Sequence, residues 1–277
     1  MVDFQEILDY GMRSQLAYLV LQPGWYLTEK VGWRSPNIPR LFIEDVPSAE
    51  VNVIVETAES DRRQWIAVRG SSNLQNWILN VQYAQHNVPE DGTILQFHDG
   101  FYKAAQDVYA AICPHLRQDY SLRITGHSLG GAIAAILMVI LGHDGYQIEK
   151  CITFGQPRVT NKEGAEKLTS APLLRVRNQE DVVPLVPPST VFTMLQGGYE
   201  HFGPEVHVYP GRYTYADSHA TLESHGDTFW KSLGRAVAEK DISHSTDNIE
   251  EHFMRHYLLN IMSNMDSPDP TLEKLLS

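Results

Sequence analysis

The sequence predicts an α/β protein with a mostly parallel central sheet and helices on both faces. Two observations carry that reading. Short apolar runs such as Leu122–Thr125 and Cys151–Phe154 alternate with longer segments of helical periodicity. One junction, Ile124-Thr125-Gly126-His127-Ser128-Leu129-Gly130-Gly131-Ala132, turns an apolar run directly into a continuous apolar helix. Composition agrees: 277 residues can bury a full core, and 43% hydrophobic with 20% charged residues is ordinary for a globular chain. A formal net charge of −12 argues against nucleic acid as a partner, because a negative field repels phosphates.

Taken in order, Ile7, Leu8, Gly11, Leu16, Leu19 and Val20 predict an amphipathic helix over residues 3–21, stopped by Pro23-Gly24. Asp3, Glu6, Asp9 and Arg13 within it do not fit a secretory signal. A cytoplasmic location is therefore expected, with secretion as the alternative. A loop rich in Pro, Gly and Trp follows to Arg40, then strands at Val51–Glu56 and Gln64–Val68 joined by the polar turn Ala58-Glu59-Ser60-Asp61. Phe101–Leu116 reads as a helix halted near Pro114. The strand Leu122–Thr125 precedes a helix from Leu129 to Leu141 that ends at Gly142. No apolar run reaches transmembrane length.

Cys151–Phe154 and Leu173–Val176 read as core strands, with a short helix at Lys162–Leu168 between them. Val182–Pro188 is proline-rich loop, and Glu205–Tyr209 a late strand. His225–Ala238 and Asn248–Ile261 read as closing helices, with a polar tail over residues 263–277. No repeat or linker divides the chain, so residues 1–277 are expected to form one domain. Cys113 and Cys151 give no disulfide framework and read as small apolar residues.

The junction at Ser128 has the shape of a nucleophile elbow. Forcing a strand straight into a helix strains the serine backbone, and the glycines on either side leave room for the close approach. The arrangement exposes a hydroxyl at the sheet top and points a helix N-terminal N–H at developing negative charge. A serine hydroxyl needs a base, and the base an orienting acid; in such elbows both follow the serine, acid first. Asp181, on the loop after a strand, is the best acid, with Glu180 beside it read as solvated. Seven histidines follow Asp181: His201, His207, His219, His225, His244, His252 and His256. Residue chemistry alone does not separate them, although His252 stands at the opening of an apolar helix. His252 and His256 lie four apart, but His-Phe-Met-Arg-His lacks the glutamate of H-E-x-x-H, so no metal is expected. His127 is read as a structural hydrogen-bonding group pointing away from the serine, and His98 as structural. The tyrosines from Tyr199 to Tyr215 and the aromatics from Trp25 to Trp33 are either loop packing or pocket lining.

At these motifs the chain resembles the class 3 lipase family, the α/β-hydrolases that include filamentous fungal triacylglycerol lipases. The resemblance runs from Val51 to Tyr257. It is carried by Val68-Arg69-Gly70-Ser71-Ser72 with Asn76-Trp77, His98-Asp99-Gly100-Phe101, Gly126–Ala132, Thr153-Phe154-Gly155-Gln156-Pro157-Arg158-Val159, Asn178–Pro184, and His252-Phe253-Met254-Arg255-His256-Tyr257. It implies an α/β-hydrolase fold with a short lid helix, Ser128 as nucleophile, Asp181 as orienting acid and His252 as base. It also implies an oxyanion hole built from the backbone N–H groups of Ser71 and Leu129. Ser72 with Gln75 fits a capping box opening the next helix. There Leu74, Trp77, Ile78 and Val81 form one apolar stripe in the position of the family's lid, a candidate substrate contact.

The expected activity is hydrolysis of acyl-glycerol lipid esters at a lipid–water interface through an acyl-enzyme, with neither metal nor organic cofactor. A phospholipase A1 and a feruloyl-type esterase share this chemistry and are the near alternatives. A non-catalytic lipase-like binding protein is the reading from another class, and its usual signature, a lost triad or oxyanion residue, is missing here.

Overall fold

The computed structural model describes residues 2–18, 41–71, 85–90, 93–187, 198–217 and 250–268. Within them ten strands form: β1 (Leu41–Val46), β2 (Val51–Ala58), β3 (Arg63–Val68), β4 (Gln85–Glu90), β5 (Thr93–His98), β6 (Ser121–His127), β7 (Gln147–Phe154), β8 (Leu173–Asn178), β9 (Glu205–Tyr209) and β10 (Arg212–Ala216). Eight of them make one sheet in the order β1-β2-β3-β6-β7-β8-β9-β10, while β4 and β5 pair as a separate hairpin. The run from β3 to β9 is parallel, and antiparallel pairs close both sides. This is the mostly parallel sheet expected, in an α/β-hydrolase fold.

Helices cover the two faces. On one, α1 (Phe4–Leu16) and α5 (Met254–Ser263) pack Ile7, Tyr10, Tyr257 and Leu258 against Trp65, Ile152, Phe154 and Val176. On the other, α2 (Asp99–Ile112) and α3 (Leu129–His143) pack Val108, Ile133 and Ile136 against Val53, Ile66, Leu122 and Ile124. The strand period of two sorts β6 between these layers: Leu122 and Ile124 face α3, while Thr125 hydrogen-bonds Ser14 of α1 at 3.0 Å. The short α4 (Lys162–Lys167) is capped by Asn161, whose side chain accepts the Gly164 N–H.

Several boundaries differ from the sequence expectation. Helix α1 stops at Leu16, Ala17 and Tyr18 form a turn in which Tyr18 bonds groups at the sheet top, and residues 19–21 of the expected helix lie outside the described residues. The expected helix Phe101–Leu116 begins earlier, at Asp99, because the His98 side chain accepts the Phe101 N–H and caps it. It ends at Ile112 in a 3₁₀ turn containing Pro114. The expected closing helix is interrupted: Glu250 is helical, residues 251–253 form a turn that holds His252, and α5 proper begins at Met254. Strands β1, β4, β5 and β10 were not anticipated. Pairing with neighbouring strands fixes them.

The expected lid residues Leu74, Trp77, Ile78 and Val81, the expected Ser72 cap, the aromatics from Trp25 to Trp33, the expected helix His225–Ala238 and most of the expected polar tail lie outside the described residues. Cys151 is buried in β7, whereas Cys113 is only partly buried; both are free thiols. Among the described residues, no helix is long and apolar enough to cross a membrane.

Candidate active site

Ser128 sits between β6 and α3 with φ +59° and ψ −129°, a left-handed conformation that costs a non-glycine residue about 1–3 kcal/mol. The close approach of strand to helix leaves no space for side chains beside it. A Cβ at Gly126 would lie 2.2 Å from the Gly130 carbonyl oxygen, and one at Gly130 would lie 2.2 Å from that of Val68. Sheet bonding locks the elbow from below, where the Ser128 N–H donates to Phe154 O at 2.9 Å.

Asp181 lies on the turn after β8, where its N–H donates back to Asn178 O at 2.9 Å. Its carboxylate is wholly buried and fully occupied. Oδ1 accepts the Val183 N–H at 2.9 Å, while Oδ2 accepts His252 Nδ1–H at 2.7 Å and the Tyr257 hydroxyl. Burial alone would raise the Asp181 pKa. The charge of His252 and the donors from His252, Tyr257 and Val183 outweigh it and hold the carboxyl below the ordinary carboxylate value. Glu180 is exposed beside it, as expected.

His252 is 1% exposed, so its ring has almost no contact with solvent. With Nδ1–H donated to Asp181, the other nitrogen, Nε2, is left with a lone pair in the neutral ring. Neither that Nε2 nor Ser128 Oγ has a hydrogen-bond partner, and both are buried. Ser128, His252 and Ser71 line one cavity of about 660 Å³, together with Tyr18, His127 and Phe253. Unpartnered buried polar atoms are rare in folded proteins, and here two of complementary chemistry border the same space.

The turn that carries His252 is stapled to the end of β8. Asn178 Nδ2 donates to the Glu251 carbonyl at 2.8 Å and to its carboxylate at 2.9 Å, and Gln179 Nε2 donates to the same carboxylate at 2.5 Å. One strand end thereby fixes both Asp181 and His252. This staple holds 251–253 as a turn ahead of α5.

Of the other described histidines after Asp181, His201 and His207 each donate Nε2–H to a main-chain carbonyl, of Pro184 and Gln179. His256 accepts from its neighbour Arg255 on the outside of α5. His219, His225 and His244 lie outside the described residues. His98 is structural, capping α2 as described. His127 forms hydrogen bonds to Tyr18 and to the His252 carbonyl, and its ring centroid lies 4.4 Å from that of His252. Tyr199 packs near His98, and Tyr213 and Tyr215 stand on the edge strand β10; none of the three lines the Ser128 cavity.

The sequence reading assigned nothing to Tyr18, Gly155, the Asn178–Gln179–Glu251 staple or the hydroxyl of Tyr257. The spacing of Tyr257 from His252 was visible, but its bond to Asp181 was not. Ser71 follows β3 and reaches the cavity, and Leu129 opens α3, where the first-turn N–H groups lack partners within the helix.

Residues 65–191 match the family described as Lipase (class 3). Over that stretch, just under half of its length, the chain is similar to class 3 lipases. Ser128 and Asp181 lie inside the matched region, and His252 beyond it. A lipase of Rhizomucor miehei is 31% identical over 168 residues, covering 55% of this chain and 45% of that protein. A rice protein named Phospholipase A1-II 1 (Oryza sativa subsp. indica) is 36% identical over 186 residues, covering 63% of this chain and 40% of its own length. The chain therefore spans less than half the length of these curated relatives. Among solved structures, a triacylglycerol lipase described as having a serine protease triad at its catalytic centre superposes with a TM-score of 0.53 at 27% identity. It covers 65% of this chain and 71% of its own.

Proposed function

We propose that this protein is a class 3 lipase-type carboxylic ester hydrolase acting on acyl-glycerol lipids through an acyl-enzyme. The observation that carries the reading is the shared cavity: an unpartnered serine hydroxyl and an unpartnered imidazole nitrogen border it, and the same imidazole is held from behind by a buried carboxylate. Ser128 Oγ attacks the ester carbonyl carbon as His252 Nε2 takes its proton. Asp181 orients the ring and stabilises the imidazolium. The N–H groups of Ser71 and Leu129 stabilise the tetrahedral oxyanion; one such donor is worth about 2.7–4 kcal/mol. Collapse breaks the carbonyl carbon–alkoxy bond, and His252 returns the proton to the departing alcohol. Water then repeats the sequence on the acyl-enzyme, releasing the fatty acid and the serine hydroxyl.

The names of the Rhizomucor relative and of the solved triacylglycerol lipase support this choice of substrate class. A phospholipase A1 reading is favoured by one observation, the 36% identity to a rice protein of that name. Rates on a triacylglycerol emulsion, phosphatidylcholine vesicles and a feruloyl ester test the reading. Highest turnover on the emulsion supports it, whereas turnover only on the vesicles or the feruloyl ester overturns the substrate class. A Ser128→Ala variant that still hydrolyses p-nitrophenyl butyrate overturns the mechanism.

A further inference from the structure

The hydroxyl of Tyr18 lies at the centre of a hydrogen-bond chain that no step above uses. The Gly70 N–H donates to Tyr18 Oη at 3.2 Å, and the Tyr18 O–H donates to His127 Nδ1 at 2.7 Å. His127 Nε2–H donates to the main-chain carbonyl of His252 at 2.6 Å. The far end fixes the direction of the chain. A carbonyl only accepts, so Nε2 carries the proton, and a neutral imidazole then leaves Nδ1 as the acceptor. Burial, reinforced by the charge of His252, keeps His127 well below the usual histidine range and therefore neutral.

The rings pack as tightly as the polar atoms bond. The Tyr18 ring meets His127 edge-on with centroids 5.6 Å apart, and His127 lies against His252. Gly70 leaves no slack, since a Cβ there would sit 2.5 Å from the Tyr18 hydroxyl. One phenol thus joins the end of α1, the segment leaving β3 just before Ser71, the residue before Ser128, and, through that residue, the turn holding His252.

We propose that Tyr18 and His127 are positioning residues, a strut that sets the main chain at Gly70–Ser71 and the main chain at His252 relative to Ser128. The proposal rests on the acyl-transfer reading above. That chemistry requires the oxyanion donors and the base to be placed to within about 0.5 Å, and a misplacement of about 1 Å can cost roughly a hundredfold in rate. The His252 turn borders an open cavity and carries the half-exposed Phe253, so a tie from the buried side opposes its outward displacement. A tie that merely fastened α1 to the sheet would lower stability and leave turnover unchanged.

The test compares the full chain with Ser128→Ala, Tyr18→Phe, His127→Asn and the Tyr18→Phe/His127→Asn double variant. It measures kcat and KM on dissolved p-nitrophenyl butyrate, and thermal midpoints. Tyr18→Phe keeps the ring and is expected to lower kcat by about tenfold or more with KM changed by less than about twofold. Because both substitutions cut one chain, the double variant is expected to be no slower than the slower single. A Tyr18→Phe kcat within about twofold of the parent, with only the midpoint lowered, overturns the strut, and so do multiplicative losses in the double variant. If Tyr18→Phe does not fold, the same kcat and KM criterion applied to His127→Asn decides. Failure of the underlying reading looks different: there the parent and Ser128→Ala hydrolyse the ester equally, and the strut falls with it.

Discussion

Tyr257 and His252 donate to the same oxygen of Asp181. Oδ2 accepts both the imidazole N–H and the phenol O–H, and Oδ1 is taken by the Val183 amide. The Asp181 carboxylate therefore has little freedom to rotate away from His252. Burial and the Asp181 charge push the Tyr257 pKa well above the usual tyrosine value, so the phenol remains a donor.

Replacing Tyr257 by Phe should remove one charge-assisted bond, worth about 1.5–3 kcal/mol of stability near neutral pH, and reduce ester hydrolysis by roughly tenfold. The pH dependence has a defined sign. The folded Asp181 pKa lies below its ordinary 3.8, so its stabilisation is present above that value and is lost as pH falls through the folded pKa. In the Phe variant the folded value moves back up toward 3.8, so stability is lower at neutral pH and declines less through that acid window. Urea midpoints measured from neutral into the acid range check both parts.

Two histidines one helical turn apart should behave oppositely. His252→Ala is expected to abolish hydrolysis of p-nitrophenyl butyrate, because it removes the group bonded to Asp181. His256→Ala is expected to leave kcat within about twofold of the parent, since His256 only accepts from Arg255 outside the site. Reversed activities would reassign the base.

Gly155 adopts φ +54°, and a Cβ there would meet His252 Cε1 at 2.7 Å and Asp181 Oδ2 at 2.9 Å. Gly155→Ala should therefore press on the Asp181–His252 pair itself. We expect kcat to fall by about a hundredfold, with destabilisation of about 1–3 kcal/mol, read from steady-state kinetics and chemical denaturation.

Beneath the sheet, Arg13 and Glu56 form a bidentate ion pair with both side chains 4% exposed, and the guanidinium lies 3.7 Å from the centre of the Trp65 ring. Removing one partner leaves a buried charge. Glu56→Ala should cost about 3–5 kcal/mol, while the Arg13→Met/Glu56→Leu double variant should lie close to the parent. Denaturant midpoints distinguish the two.

Much of the architecture was legible because local chemistry enforces it. Leu129–Leu141 is apolar around its whole circumference and has no option but a buried helix, and Glu205–Tyr209 alternates cleanly enough to give its own boundaries. Ser128 was legible for a similar reason: strand, glycine, serine, glycine and helix are contiguous, so the strained turn is written within nine residues. Strand β10 was not legible, because its alternating Tyr213 and Tyr215 pack on an exposed edge where pairing with β9 supplies the order. The start of α5 was missed because its apolar periodicity runs back through a turn that Asn178 and Gln179 hold from 73 and 72 residues away.

The sequence by itself determined the elbow, the acid loop and the alternation of strands with helices, since each depends on neighbours in the chain. Tertiary structure decided which histidine meets Asp181, a choice that seven residues of one chemistry left open. The bond from His252 to Asp181 spans 71 positions, Tyr257 to Asp181 spans 76, and Tyr18 to His127 spans 109. No local pattern encodes such separations. They come from the crossing of α1 and α5 over one face of a sheet whose strand ends deliver Gly70, Ser128 and Asp181 to the same edge.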